Sequence, residues 1–132
     1  MNPPFVTAIF AAVLGLIAGG LTVNVIVNRV RLRVDSGDGG QPRMAQAIRA
    51  HANFAEHVPL ALILIGSSEI LGIRAWIVYA LGGVLIVARL LSLWGLSRSL
   101  GPSFARQAGA SLTILVTVAA SISILCTAAG IR

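Results

Sequence analysis

The fold that this sequence predicts is all-α and membrane-embedded, an antiparallel bundle of four transmembrane helices forming a single domain over 1–132. Three observations predict it. Apolar residues fill 57% of the 132 positions, more than one small soluble core can hide. Apolar runs recur along the chain, most of them uncharged, at lengths close to the roughly 20 residues that cross a bilayer. Arginines gather mostly in the segments beside those runs, as the orienting charges of membrane proteins do.

The first apolar run, residues 5–27, carries no charge; it opens after Pro3-Pro4 and closes at Asn28 and the arginines at 29, 31 and 33. A helix is expected over 4–33. No basic residue precedes Arg29, so the run lacks the charged start of a signal peptide and is expected to be retained. Gly15 and Gly19, spaced G-x-x-x-G, offer a face that another helix can approach closely. The stretch Asp35-Ser-Gly-Asp-Gly-Gly-Gln-Pro42 is a polar turn, without the remaining ligands of a calcium loop. A second helix is expected over 42–72, polar in its first turns and apolar from Val58 on, with Pro59 removing the hydrogen bond to the Ala55 carbonyl. Gly72-Ile73-Arg74 is so short a link that the third helix, 74–97, must run antiparallel to the second. Glu69 and Arg74 flank that link and are expected to pair on the surface. Trp76 and Trp94 read as interfacial anchors near the ends of the third helix. Arg89 lies inside it, where contact with lipid would cost about 2.5 kcal/mol or more, so it must snorkel or face a protein-lined space. A polar loop with Gly101-Pro102 leads to a fourth helix, 105–131, rich in small Ala, Ser and Thr side chains that suit tight packing.

All ten basic residues are arginine, against four acids, for a formal net charge of +6. Beside apolar segments this charge orients the chain and touches anionic membrane lipid, so no nucleic-acid partner is expected. Seven arginines (29, 31, 33, 43, 49, 98 and 106) fall on one side of the predicted bundle and two (74 and 132) on the other. Both arginine-bearing loops are therefore expected in the cytoplasm and both termini on the non-cytoplasmic side. Cys126 is the only cysteine, which rules out an intramolecular disulfide. His51, Glu56 and His57 do not give the i, i+4 histidine pair of a helical zinc site, and no metal is expected.

The chemistry concentrates in Arg49-Ala-His51-Ala-Asn53-Phe-Ala-Glu56-His57-Val-Pro59. On a helix Arg49, Asn53 and Glu56 fall at i, i+4 and i+7 and share a face. Such a face is either a solvated membrane edge whose groups pair with one another or a clamp for a small zwitterion. The second helix begins, the third ends and the fourth begins on one side, which brings Arg89 and Arg106 to the same depth, with Arg31 or Arg33 in reach. Guanidiniums gathered around one carboxylate repel one another unless an anion fills the gap. Lipid phosphate is one such anion; a cytosolic peptide with two carboxylates and one ammonium is another. His57, at i+4 from Asn53, either lines the same cavity or, as is commoner for an interfacial histidine, is a satisfied edge residue.

Val30-Arg31-Leu32-Arg33, the Arg49–Glu56 motif followed by a proline, Arg89 late in the third helix and Arg106 at the start of the fourth together resemble the MAPEG family, membrane-associated proteins in eicosanoid and glutathione metabolism, in a bacterial-type member. The resemblance covers nearly the whole chain. It implies a homotrimer in which glutathione, as co-substrate, sits between subunits and opens to the cytosol. It further implies that Arg49, His51, Asn53 and Glu56 hold glutathione, that Arg31 reaches it from a neighbouring subunit, that Arg89 contacts it, and that Arg106 is the catalytic residue that stabilises its thiolate. A cation beside a thiol lowers its pKa from about 8.5 and raises the abundance of the nucleophile. Where eicosanoid-metabolising members carry tyrosines, this chain has Leu96 and Ala110, and Ser92 is the polar residue following the third-helix arginine. Eicosanoid synthesis is therefore not expected. The expectation is an inner-membrane glutathione transferase acting on lipophilic electrophiles from the bilayer. A non-catalytic lipid- or ligand-binding scaffold of the same fold is the alternative. A small multidrug exporter would need an acid deep in its first helix, and residues 5–27 have none.

Overall fold

The structure, a computed structural model, describes residues 3–98 and 103–131. Its elements are four α-helices: α1 (Phe5–Leu32), α2 (Pro42–Ile70), α3 (Ala75–Arg98) and α4 (Phe104–Ala128). Gly101-Pro102, in the loop expected from the sequence, and Arg132 lie outside the described residues. α1, α3 and α4 are each long and apolar enough to cross a membrane. α2 is the longest, with 29 residues, or roughly 43 Å at 1.5 Å per residue, but polar side chains occupy much of its first half. Consecutive helices run antiparallel: Glu69 at the end of α2 meets Thr7 at the start of α1, and Arg89 of α3 joins Asn53 of α2 to Thr113 of α4.

Local chemistry sets the helix ends. Pro42 occupies the first turn of α2, where its missing N–H has no intrahelical role. Arg33 closes α1 in the left-handed region at φ 55°, and its N–H turns back to the Val30 carbonyl. Arg29 then fastens the departing chain, its guanidinium donating to the carbonyls of Val34, Asp35 and Gly37 at 3.2–3.4 Å. Ser103 caps α4 through its hydroxyl, which accepts from the Arg106 N–H at 3.4 Å. Pro59 is exposed and α2 runs on through it.

At the opposite end Glu69 behaves differently from the sequence expectation. Its carboxylate accepts the Val6 N–H at 2.8 Å, the Thr7 N–H at 2.7 Å and the Thr7 hydroxyl at 2.6 Å. The neighbouring N–H groups of Phe5 and Ala8 donate to the carbonyls of Pro3 and Pro4. Every donor in the first turn of α1 is thus satisfied, two of them by a side chain from another helix. A carboxylate at a positively polarised helix start is a better match than the solvated Arg74 guanidinium.

The core is apolar and central, built from Leu14, Phe54, Val58, Ile65, Leu85 and Val116 with Ala61 and Ala120 between them. Close packing falls on glycines outside any motif. Gly82 of α3 backs onto the Phe10 ring, and Gly109 of α4 lies against Ser92 and within 2.5 Å of the Ala88 carbonyl, measured to where a methyl would sit. Gly15 and Gly19 face outward, with no atom of another described helix within 4 Å of that position.

Candidate functional site

Four of the residues singled out in the sequence line one cleft. Arg49, Asn53 and Glu56 present themselves from successive turns of α2, Arg106 comes from the first turn of α4, and Ala52 and Leu96 complete a space of about 150 Å³. The approach of α4 depends on Gly95 of α3, where a methyl would stand 2.9 Å from the Arg106 nitrogen and 3.1 Å from its Cβ. Arg49 and Arg106, the latter at the positively polarised start of α4, line the cleft with a single carboxylate, Glu56, so the cleft favours an anion while keeping one place for a cation. Among the described residues, the side chains of Arg49 and Glu56 make no hydrogen bond or ion pair, and both residues are exposed. They are available to a ligand.

Arg89 lies behind this cleft, at 1% exposure. Its Nη1 donates to the Asn53 side-chain oxygen at 3.1 Å and to the Asn53 carbonyl at 3.5 Å. Its Nη2 donates to the Gly109 carbonyl at 3.2 Å and to the Thr113 hydroxyl. Its Nε has no hydrogen-bond partner among the described residues. In a single chain, therefore, Arg89 touches Asn53 and α4 and does not line the cleft. Ser92, one turn on, is buried in the α3–α4 contact, and Ala110 is not among the residues lining the cleft.

The remaining sequence candidates lie elsewhere. His51 turns to α1, with Nε2 3.2 Å from the Thr22 hydroxyl. Arg31 is exposed at the end of α1 and His57 is half-buried on α2; neither lines the cleft of its own chain. Trp94 is exposed and carries the Arg98 guanidinium 4.4 Å above its ring, an arrangement suited to a wet membrane boundary.

A second cleft of about 300 Å³ opens between α1, α2 and α3, walled by Asn24, Asn28, Arg43 and Gln46 and sharing Leu96 with the first. Gln46 donates to the Leu96 carbonyl, near the end of α3. Asn28, at 4% exposure, donates to the carbonyl and side-chain oxygens of Asn24 at 2.8 and 3.0 Å. From the sequence, Asn24, Gln46 and Thr113 carry no expected role, and Asn28 only that of closing the first apolar run. Their signal was positional: Asn24 and Asn28 at i, i+4 in an otherwise apolar run, Gln46 one turn before Arg49, and Thr113 two turns after Arg106 on the same face.

An integral membrane protein of four antiparallel helices, with a cation-rich cleft where α2 and α4 meet beside α3, is the class that fold and site define. The chain belongs to the MAPEG family, whose family model matches residues 6–126. Over 90 residues it is 34% identical to the inner membrane protein YecN of Escherichia coli, both in strain K12 and in an O6:H1 strain, a match that spans 68% of this chain and 69% of those relatives.

Proposed function

We propose that the protein is a glutathione-transferase-like enzyme of the bacterial inner membrane, using glutathione as co-substrate and conjugating it to lipophilic electrophiles dissolved in the bilayer. The observation that carries this reading is the convergence of Arg49, Asn53, Glu56 and Arg106 on one cleft. Glutathione has two carboxylates and one ammonium, the charge pattern opposite to two guanidiniums and one carboxylate. Arg49 and the Asn53 amide take carboxylate or carbonyl oxygens, Glu56 takes the ammonium, and Arg106 stands by the sulfur. The thiol gives its proton to water, the thiolate attacks the electrophilic carbon, and the leaving group departs with the electron pair. Fixing the thiolate against an electrophile supplies the rate.

The functional unit in this reading is a homotrimer with α2 crossing the membrane alongside the other three helices. A cleft of about 150 Å³ is smaller than the roughly 300–1,000 Å³ of sites that enclose a drug-sized ligand, which supports completion by a second subunit. Arg31, exposed and outside the cleft of its own chain, is placed to be supplied that way. Arg89 acts from behind the cleft, and His51 braces α2 against α1. The cleft opens to the cytoplasm and both termini lie across the membrane, an orientation that the seven-to-two arginine division supports.

Calorimetric titration of glutathione into the detergent-solubilised protein tests the reading, followed by turnover with a generic aryl halide. Glu56→Gln should weaken binding roughly tenfold or more, the equivalent of about 1.5–3 kcal/mol for a charge-assisted contact. Undetectable wild-type binding at millimolar glutathione would put the non-catalytic lipid-binding scaffold ahead.

A further inference from the structure

We propose that Arg89 is a positioning residue: it holds the Asn53 side chain with its NH2 group toward the cleft, and so makes that position selective for a ligand that presents a carboxylate or carbonyl oxygen. This inference deepens the reading of the cleft as a glutathione site and rests on it. A guanidinium has donors only, whereas a primary amide has an acceptor oxygen on one side and two donors on the other. The Asn53 atom 3.1 Å from Arg89 Nη1 is therefore the oxygen; turned over, the amide would set donors against donors. The NH2 group is left to face the space between Arg49 and Glu56.

The guanidinium can enforce this because it is itself held. The Gly109 carbonyl and the Thr113 hydroxyl fix it from α4, and the Asn53 carbonyl from α2. Gly109 and Thr113 lie at i+3 and i+7 from Arg106, so the same side chain ties the Arg106-bearing face of α4 to the Asn53-bearing face of α2. Packing gives no reason for a charge here. Among the described residues Arg89, at 1% exposure, has no carboxylate hydrogen-bond partner and an Nε with none at all, an arrangement that an apolar side chain of similar length would relieve. What an apolar side chain cannot do is polarise Asn53. Along α2 the ligand then meets a cation at Arg49, a donor at Asn53 and an acceptor at Glu56.

The test uses the full-length protein in detergent and the variants Arg89→Met, Asn53→Ala, their double, and Asn53→Asp, each titrated with glutathione and melted thermally. Arg89→Met and Asn53→Ala should each weaken glutathione about tenfold, and the double should be no weaker than either single variant. Arg89→Met should melt no lower than the wild type. Multiplying losses in the double would mean that Arg89 meets the ligand independently, and wild-type affinity in Arg89→Met would mean that it does not orient Asn53; either result overturns the proposal. Asn53→Asp covers the case in which Arg89→Met fails to fold. The carboxylate pairs with Arg89 but offers no donor, so this variant should melt above the wild type and bind about tenfold more weakly. Wild-type affinity in Asn53→Asp overturns the proposal whatever Arg89→Met does. Absence of glutathione binding by the wild type defeats the glutathione reading itself, and the contact is then judged without ligand: Asn53→Asp must raise the melting temperature when Arg89 is present and not when it is methionine. An equal shift in both backgrounds refutes the positioning role.

Discussion

Removing the carboxylate at position 69 should loosen the bundle at the end remote from the cleft. Glu69 accepts three hydrogen bonds from the first turn of α1, at 2.6–2.8 Å, and two of those donors are backbone N–H groups with no intrahelical acceptor. Glutamine keeps the shape but offers one acceptor oxygen and turns an NH2 toward a donor, so at least one contact is lost along with the charge. The site is half-buried, which puts the loss at the lower end for charge-assisted bonds, about 1.5 kcal/mol for Glu69→Gln. Glu69→Ala abandons all three contacts and should lose about 2–3 kcal/mol, comparable to a lost helix cap plus a lost dipole interaction. Thr7→Val removes only the hydroxyl and should lose about 1 kcal/mol. Arg74→Ala should stay within about 0.5 kcal/mol of wild type, as an exposed cation does. Unfolding by titration with a denaturing detergent, followed by far-ultraviolet circular dichroism, ranks the four. The reasoning fails if Glu69→Gln matches wild type, or if Arg74→Ala loses as much as Glu69→Ala.

Gly109→Ala should destabilise by about 1–3 kcal/mol, since the added methyl meets the Ala88 carbonyl and Ser92 with little room for α4 to retreat; the same unfolding titration measures it. Arg106→Ala should lower conjugation at neutral pH more than it lowers glutathione affinity, with part of the loss recovered at alkaline pH where the thiol ionises unaided; an unchanged thiolate absorbance across a pH series would remove Arg106 from that role. Reporter fusions should place residues 36–41 in the cytoplasm and the chain end beyond α4 on the other side, because seven arginines oppose two; a cytoplasmic C-terminus would turn the cleft away from the cytosol.

Periodicity and apolar length made the four helices readable, and the i, i+4, i+7 spacing of Arg49, Asn53 and Glu56 made their common face readable, because both depend on the geometry of a single helix. Which neighbour covers a face depends on the whole bundle. Gly15 and Gly19 carried the recognisable packing motif yet point outward, whereas the glycines that admit close contact are Gly82, Gly95 and Gly109, none of them in such a spacing. Glu69 looked like the partner of the nearby Arg74, but its donors are 62 and 63 positions away. The burial of Arg89 could be anticipated from its place in an apolar run; the absence of a carboxylate among its hydrogen-bond partners could not, since only the arrangement of α2 and α4 determines it.

In the reading in which α2 crosses the membrane beside the other three helices, its uneven composition also governs how the chain is made. The ribosome releases α1 before α2, and its uncharged stretch over 5–27, followed by arginines only at the helix end, can leave the translocon for lipid by itself. α2 follows with Arg49, Glu56 and His57 in its first half and Glu69 at its far end, and crossing hydrocarbon with a charged side chain is opposed by about 2.5–3.5 kcal/mol at mid-bilayer. The group that receives Glu69 is already in place, because the unpaired N–H groups of Val6 and Thr7 arrive with α1. The two helices are therefore suited to enter as a hairpin rather than in succession: a chain cut after residue 41 would still insert, while α2 placed behind an unrelated polar leader would stay on the side of the membrane where it was synthesised.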